Sequence, residues 1–495
     1  MKQLNRKFLS LLCIGLIIQG CSKNFIELNP ISNANEGNFY KTQDDFLNAI
    51  YGAYATLKTS GQYDDNMQLV GDLRSDNTEM GTTASTRFSY YDLTQFNVQP
   101  TSPIVESIWN DNYVGIRDVN MILDRIVDAG ISADVKTQIT GEAQFLRGLF
   151  YFNLVRVFGK VPLVTKSLKT IEEAYSFGRA DVADVADVYK QIVTDLTVAE
   201  AVLPLQVTGQ EGRATKGAAG ALLGKVYLTM HNYAGAKDIL NKVISSGQYD
   251  LLPDYKDLWD AKKKNSKESV FAVQFLASIS TSTGANFTER YFPYQYPLFS
   301  FSTTGGGYNI PTEDLIAAYE SGDLRKAASL RESYTNANGQ PVTGLQGRFE
   351  YKFHDESIKS GGSNDNWPVL RYADVLLMYA EALNELSFEA DGMALSLLNR
   401  IRQRAGLPEK TATNANPALR IASQADFRLA MEQERRVEFA FEGQRWFDLV
   451  RTDRAIAVLG PKVQGGLMPA QLVLPVPLSQ IDVNPAKIDQ NPGAK

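Results

Sequence analysis

With 495 residues the chain can form one large domain or two to three ordinary ones, and 44% hydrophobic against 21% charged residues is ample for a core. Its 50 basic and 56 acidic residues leave a net charge of −6, which gives no electrostatic case for nucleic acid. Only Cys13 and Cys21 are present, which excludes a disulfide-stapled scaffold. At the start, Lys2, Arg6 and Lys7 precede an apolar run from Phe8 to Ile18 and the small residue Gly20, the parts of a secretory signal peptide over 1–20. That run is shorter than the roughly 20 apolar residues that span a bilayer. Cys21 stands at the cleavage point, where in bacteria the thiol accepts diacylglycerol, so export and lipid anchoring are expected. Gln19 is larger than the usual residue at its place. Removal of Cys13 and lipidation of Cys21 would leave no free thiol, so stability must come from core burial and helix packing. No later apolar run approaches spanning length, and the body is expected to be soluble and held by its lipid.

Residues 21–38 mix Asn, Ser, Pro and Glu and read as a tether. From Phe39 the spacing of Phe46, Ile50, Tyr54 and Leu57 predicts a helix with one apolar face. Met67 to Gln99 has no sustained period and reads as irregular structure. A second helix is predicted from Val105 to Ile126, and a strongly apolar one from Glu142 to Phe158 containing Gly148-x-x-Tyr151. Leu223-Gly224-x-x-Tyr227 followed by Ala236-x-x-x-Leu240 has the tetratricopeptide pattern, in which a small residue lets two helices approach closely. Ala380-x-x-Leu383 before Ala394-x-x-x-Leu398 repeats it loosely. A further pair is expected at Phe427 to Phe441 and Gln444 to Leu459. The fold class is therefore mainly α, a tetratricopeptide-like helix-pair scaffold over about 141–260 and 368–460.

Between Lys262 and Pro368 the helical period fails. Ser269 to Leu276 alternates like a strand, and Phe287 to Tyr308 is an aromatic stretch rich in Gly, Ser and Thr. Long irregular segments of this kind are functional or disordered. Disordered segments are poor in aromatics, so this one is expected to be ordered on the scaffold. Leu472 to Val476 reads as a short strand.

Catalytic signatures are scarce. His231 and His354 are the only histidines, and no His-Glu-x-x-His, Cys-x-x-Cys or Gly-x-Ser-x-Gly occurs. Gly212 to Gly224 lacks the Gly-Lys-Ser/Thr ending of a phosphate loop, and Lys216 reads as opening a helix. Glu434, Arg435, Arg436, Glu438, Glu442 and Arg445 have the spacings of helix-surface and interhelical ion pairs rather than of a catalytic cluster. A glycosidase needs only two carboxylates, and no pair stands out. The four tryptophans, Trp109, Trp259, Trp367 and Trp446, all sit in patterned helices or motifs and are expected in the core. No catalytic residue, metal or cofactor is assigned.

Several runs together carry a family likeness. They include Cys21 to Glu27, Arg74-Ser-Asp76-Asn77, Gly141 to Arg147 with Phe158-Gly159-Lys-Val-Pro162, and Arg213-Ala-Thr-Lys216-Gly217. Leu370-Arg-Tyr-Ala-Asp374, Asn399-Arg-Ile-Arg402-x-Arg404-Ala-Gly406, and Glu434 through Arg445-Trp446-Phe-Asp448 complete them. On these the chain resembles the SusD-like (RagB/SusD) surface lipoproteins of Bacteroidetes. The resemblance implies a single SusD-like domain over 39–495, lipid-anchored in the outer membrane and facing outward, with variable loops at about 67–100 and 262–367. It implies capture of an oligosaccharide, or in some branches a peptide, and delivery to a SusC-like TonB-dependent transporter. A protein-assembly scaffold and a glycosidase are the remaining alternatives. Two stretches correspond in position to the family's ligand loops and supply the candidates by composition: Phe88, Tyr90, Tyr91 and Phe96, then Tyr291, Phe292, Tyr294, Tyr296 and Phe299. Asp76 and Asn77 join them, although their motif concerns the scaffold more than the ligand.

Overall fold

The computed structural model describes residues 39–81, 88–182, 184–278, 283–293, 296–297, 306–355 and 362–493. The signal peptide, the tether and Cys21 lie outside the described residues. The first helix, α1 (Gln43–Thr56), opens on a capping box formed by Thr42 and Asp45 and buries Phe46, Ile50 and Ala53. Next comes α2 (Asn66–Leu73), inside the stretch read as irregular. All eight of its residues are buried, so no polar face marks a period in the sequence. A short helix, Phe88–Thr94, follows.

The scaffold continues with α3 (Pro103–Ile126), α4 (Ala133–Phe158), α5 (Val185–Val202), α6 (Lys216–Thr229) and α7 (Tyr233–Ser245). It resumes with α8 (Tyr372–Leu386), α9 (Met393–Arg404) and α10 (Gln424–Glu438). From α3 to α9 each helix packs on the next, α7 against α8 included, and α10 returns onto α8. This serial stacking is the expected helix-pair architecture. Lys216 opens α6, with the Thr215 hydroxyl capping Ala218 N–H. Small residues set the crossings. A Cβ on Gly224 would lie 2.5 Å from the Leu240 side chain, and one on Gly148 would lie 2.9 Å from Leu196. These two helix pairs therefore meet at the glycines that the sequence singles out. Among the described residues no helix is long and apolar enough to cross a membrane.

Strands are few and paired in twos. β1 (Thr78–Glu79) pairs with β3 (Ile310–Pro311), and β2 (Ser269–Val273) with β8 (Trp367–Arg371). β4 (Leu330–Arg331) pairs with β7 (Phe349–Glu350), and β5 (Tyr334–Thr335) with β6 (Pro341–Val342). All four pairs are antiparallel. Two expectations are corrected. The helix read over 444–459 is split into Arg445–Arg451 and Ala455–Leu459 by Asp453 in the left-handed region, φ 57°. Residues 472–476 form no strand; Leu474 N–H instead donates to the Val157 carbonyl (2.7 Å) at the end of α4, and Val476 bonds the Gln490 amide.

A buried ion network ties the loop-rich region to the helices. Glu438 accepts from Arg325, Arg371 and Arg404, and Glu442 from Arg371 and Lys352. Asp374 accepts from Lys225 and Arg435. The charged run that resembles a catalytic cluster is thus structural, its members paired across elements. All four tryptophans are buried.

Candidate functional site

Three aromatic segments meet outside the helical stack. The first is the helix Phe88–Thr94, the second the described residues 287–293, 296–297 and 306–308, and the third the short-strand insertion 330–354. Backbone pairing closes the second onto itself and onto Gly81: Gly307 N–H donates to Phe292 O (2.8 Å), Tyr308 N–H to Arg290 O (3.2 Å), and Gly81 N–H to Gly307 O (2.8 Å). The second segment and its flanks are held down by four buried carboxylates, three from the first hundred residues and one from 365. Asp64 accepts from both the backbone N–H and the side-chain amide of Asn286 (2.7 and 2.6 Å). Asp65 takes Arg290 and the Tyr90 hydroxyl (2.7 Å). Asp72 takes the Asn309 amide (3.1 Å), and Asp365 takes the Thr288 hydroxyl (2.8 Å).

An island of rings, separate from the main core, forms on this base. Phe292 and Phe349 are buried at its centre, with Tyr296, Tyr334 and Tyr351 partly buried around them. Tyr296 lies 4.9 Å from Phe292, 5.3 Å from Phe349 and 5.2 Å from Tyr334, between ring centres. The β4–β7 ladder places Arg331 opposite Phe349, and this carries Tyr334, three residues on, to 6.0 Å from the Phe349 ring. Tyr351 has its faces taken: His354 stacks on it at 4.4 Å and the Arg331 guanidinium lies 3.5 Å from its centre. Beside the island, Tyr90 and Tyr308 meet edge to face at 5.0 Å. The β5–β6 turn, two residues beyond Tyr334, carries the amide side chains Asn336, Asn338 and Gln340, with Asn336 Oδ1 fixed by the N–H groups of 338 and 340.

These contacts redistribute the expected site residues. Tyr296, half-buried in the island, and Tyr90 and Tyr91 on the short helix keep partly exposed rings, Tyr91 at 37%. Tyr291 is fully buried with its hydroxyl on Gln68, and Phe292 is the island's centre, so both support rings rather than offering a face. Phe96 is buried against Trp446 (5.5 Å) and the Arg74 guanidinium (4.8 Å), with a left-handed φ of 54°. Asp76 is buried and paired with Arg445 (2.8 Å) and Arg436 (3.1 Å), while Asn77 accepts from Arg436 (2.8 Å). Those two belong to the scaffold, as their motif suggests, and not to a ligand face. Tyr294, Phe299 and the side chain of Phe88 lie outside the described residues. Tyr308, Tyr334, Phe349 and Tyr351 were missed. The run Phe349-Glu350-Tyr351 holds a signal for two of them, since alternate residues of a strand share a face.

Electrostatics separate carboxylates from the ring faces. Burial pushes Asp72 and Asp365 up to about 7, Glu350 up to about 8 and Asp64 up to about 6. All four are buried. Among the described residues no group of three or more His, Cys, Asp or Glu is arranged to hold a metal.

Comparison with known proteins finds two matching families. Residues 25–228 match one described as "Starch-binding associating with outer membrane", and residues 345–493 match the SusD family. The SusD-like protein P2 of Formosa agariphila is 28% identical over the whole of both chains. A SusD-like protein of Bacteroides ovatus is 27% identical over 90% of this chain and 82% of its own. Among solved structures, a laminarin-binding SusD-like protein superposes with TM-score 0.75 at 27% identity, over 92% of this chain and all of that one. A SusD superfamily protein of Parabacteroides distasonis gives 0.79 at 27%, over 91% and 99%.

Proposed function

We propose that this chain, which belongs to the SusD-like family, captures a glycan at the outer membrane and hands it to a partner TonB-dependent transporter. The observation that carries the capture step is the aromatic island, whose Tyr296 and Tyr334 rings stand partly exposed beside a turn lined with amides. Pyranose rings present C–H faces that suit tyrosine faces, and rings with few rotatable bonds bind at low entropic cost. The laminarin-binding relative of the same fold supports a glucan-type ligand. The described match to outer-membrane starch-binding proteins supports the location. Lipid attachment at Cys21, an outward orientation and transporter docking are parts of the same reading.

Capture without cleavage is the chemistry that the carboxylates favour. A glycosidase keeps a carboxylic acid protonated near neutrality beside the sugar. Here the four carboxyls pushed furthest towards neutrality, Asp64, Asp72, Glu350 and Asp365, are buried and bonded to the backbone, amides and hydroxyls.

The test is extraction of native membranes in mild detergent from cells carrying wild-type protein or Cys21→Ala. The wild type should co-purify with a β-barrel transporter in comparable amount and leave added oligosaccharides at full length. Cys21→Ala should appear in the soluble fraction. Recovery of a lone wild-type protein, or shortening of the sugar, would overturn the reading.

A further inference from the structure

A second groove lies away from the aromatic island, where α1, the loop between α5 and α6, and β2 come together. It comprises two adjoining cavities of about 350 and 320 Å³ that share Gln210, Glu211, Gly212 and Arg213 with Phe271 and Ala272 of β2 and Gln274 just beyond it. Each falls within the roughly 300–1,000 Å³ of small-molecule sites. The two cavities differ in chemistry. One is bordered by Tyr51, Tyr54 and Leu57 of the α1 region. The other is bordered by neutral amides and hydroxyls, Gln206, Thr208, Gln248, Asn265 and Gln274 among them.

The amides are pre-oriented. Asn265 and Gln274 exchange hydrogen bonds (2.9 and 3.0 Å), and Asn366 donates to the same Gln274 oxygen (2.8 Å). Gln206 donates one N–H to Gln248 (2.6 Å) and is otherwise exposed, as is the Thr208 hydroxyl. Gly212, at φ 97°, lets the loop close on Gln274: a Cβ there would lie 2.4 Å from Gln274 Cγ. Tyr51 is 40% exposed, backed by the Arg213 guanidinium 5.6 Å from its ring centre. Arg213 is neutralised by Glu142, and Glu211 stands against Lys58 and Lys267 at the rim, so the lining is left with a small positive excess and no cluster of like charges.

We infer that this groove is a second saccharide subsite, which takes a short segment of neutral glycan with a sugar face on Tyr51 and hydroxyls on Gln206 and Thr208. It rests on the capture reading only for the class of ligand. Phe275, just beyond β2, packs edge-on against Phe287 at the start of the aromatic segment (5.7 Å), so the groove and the island share one rigid base. Two sites on one body hold a long glycan more tightly than either holds a short one.

The test is amide hydrogen exchange of the full chain with millimolar neutral hexasaccharides: β-1,3-, β-1,4- and α-1,4-linked glucose, β-1,4-linked mannose and β-1,4-linked xylose. Exchange in 203–215 and 269–276 should slow with at least one of them. That protection should need about ten-fold more sugar in Tyr51→Ala, the loss of one ring contact, and vanish in Thr208→Trp, which fills the groove. It should persist in Tyr334→Ala. No protection of 203–215 by any sugar, or protection indifferent to both groove variants, overturns the subsite. Protection of 287–351 reports on the island separately, so either site can fail while the other stands.

Discussion

At the scale of single residues, the side chain best suited to sugar stacking is committed elsewhere: all four tryptophans are buried, and among the described residues tyrosines carry the most exposed rings. That division was legible in the sequence, because the tryptophans sit in apolar patterns. Which tyrosines stay open was not. Tyr291 and Tyr296 lie five residues apart in one aromatic run, yet one is sealed on Gln68 and the other joins the island, a difference decided by Tyr334 and Phe349 from a distant insertion. The aspartates beneath these rings make a pH prediction. Burial raises Asp72 and Asp365 to about 7 and Asp64 to about 6, with hydrogen bonds only partly offsetting it. A carboxyl whose folded value lies above its unfolded one binds its proton more tightly when folded. It therefore favours the fold below about pH 4, and that contribution is lost as pH rises through about 6 to 7. Asp72→Asn removes the ionisation while keeping an acceptor for Asn309 or Gly443. Its Tm should exceed the wild type's at pH 8, and by clearly less at pH 5. A Tm loss at pH 8 as large as that at pH 5 would contradict this assignment.

Among the elements, the sequence served best where helices are amphipathic or carry the small-residue repeat. The faces of α1 and α3 and the crossing of α6 with α7 follow from spacing alone. It served worst where burial is uniform or context dominates. Buried on all sides, α2 has no polar face to betray it. The break at Asp453 and the unpaired 472–476 segment depend on contacts with α4 and neighbouring turns that no local pattern encodes. Gly224→Val tests the crossing directly. The added methyls enter space already held by Leu240, and overpacking of this kind costs about 1–3 kcal/mol. Chemical denaturation should show that loss with an unchanged helical spectrum; a variant as stable as the parent would mean that α6 and α7 are less closely packed than described.

Across the whole molecule, Glu438 joins parts that are distant in sequence, accepting from Arg325 just before the insertion, Arg371 on β8 and Arg404 on α9. Burial alone would raise its carboxyl, but these arginines hold it well below the usual range. Its contribution is therefore present at neutral pH and lost only in strong acid, opposite in sign to Asp72. Glu438→Gln leaves three buried guanidinium groups without that charge and should cost about 3–5 kcal/mol in urea unfolding at pH 7; a loss below about 1 kcal/mol, the scale of a surface pair, would show that the network does not bind the loop region to the helices. The network in turn holds the insertion that carries Tyr334, so the proposed glycan face depends on residues far apart in the chain rather than on one loop. The central claim is that this face holds the glycan, and calorimetric titration of a panel of purified polysaccharides and peptides into wild-type protein and into Tyr296→Ala and Tyr334→Ala tests it most directly. A glycan should bind with roughly micromolar to millimolar affinity, and each variant should weaken it by about 1–2 kcal/mol with an unchanged Tm. Equal binding by wild type and both variants, or binding of peptides alone, would contradict the account.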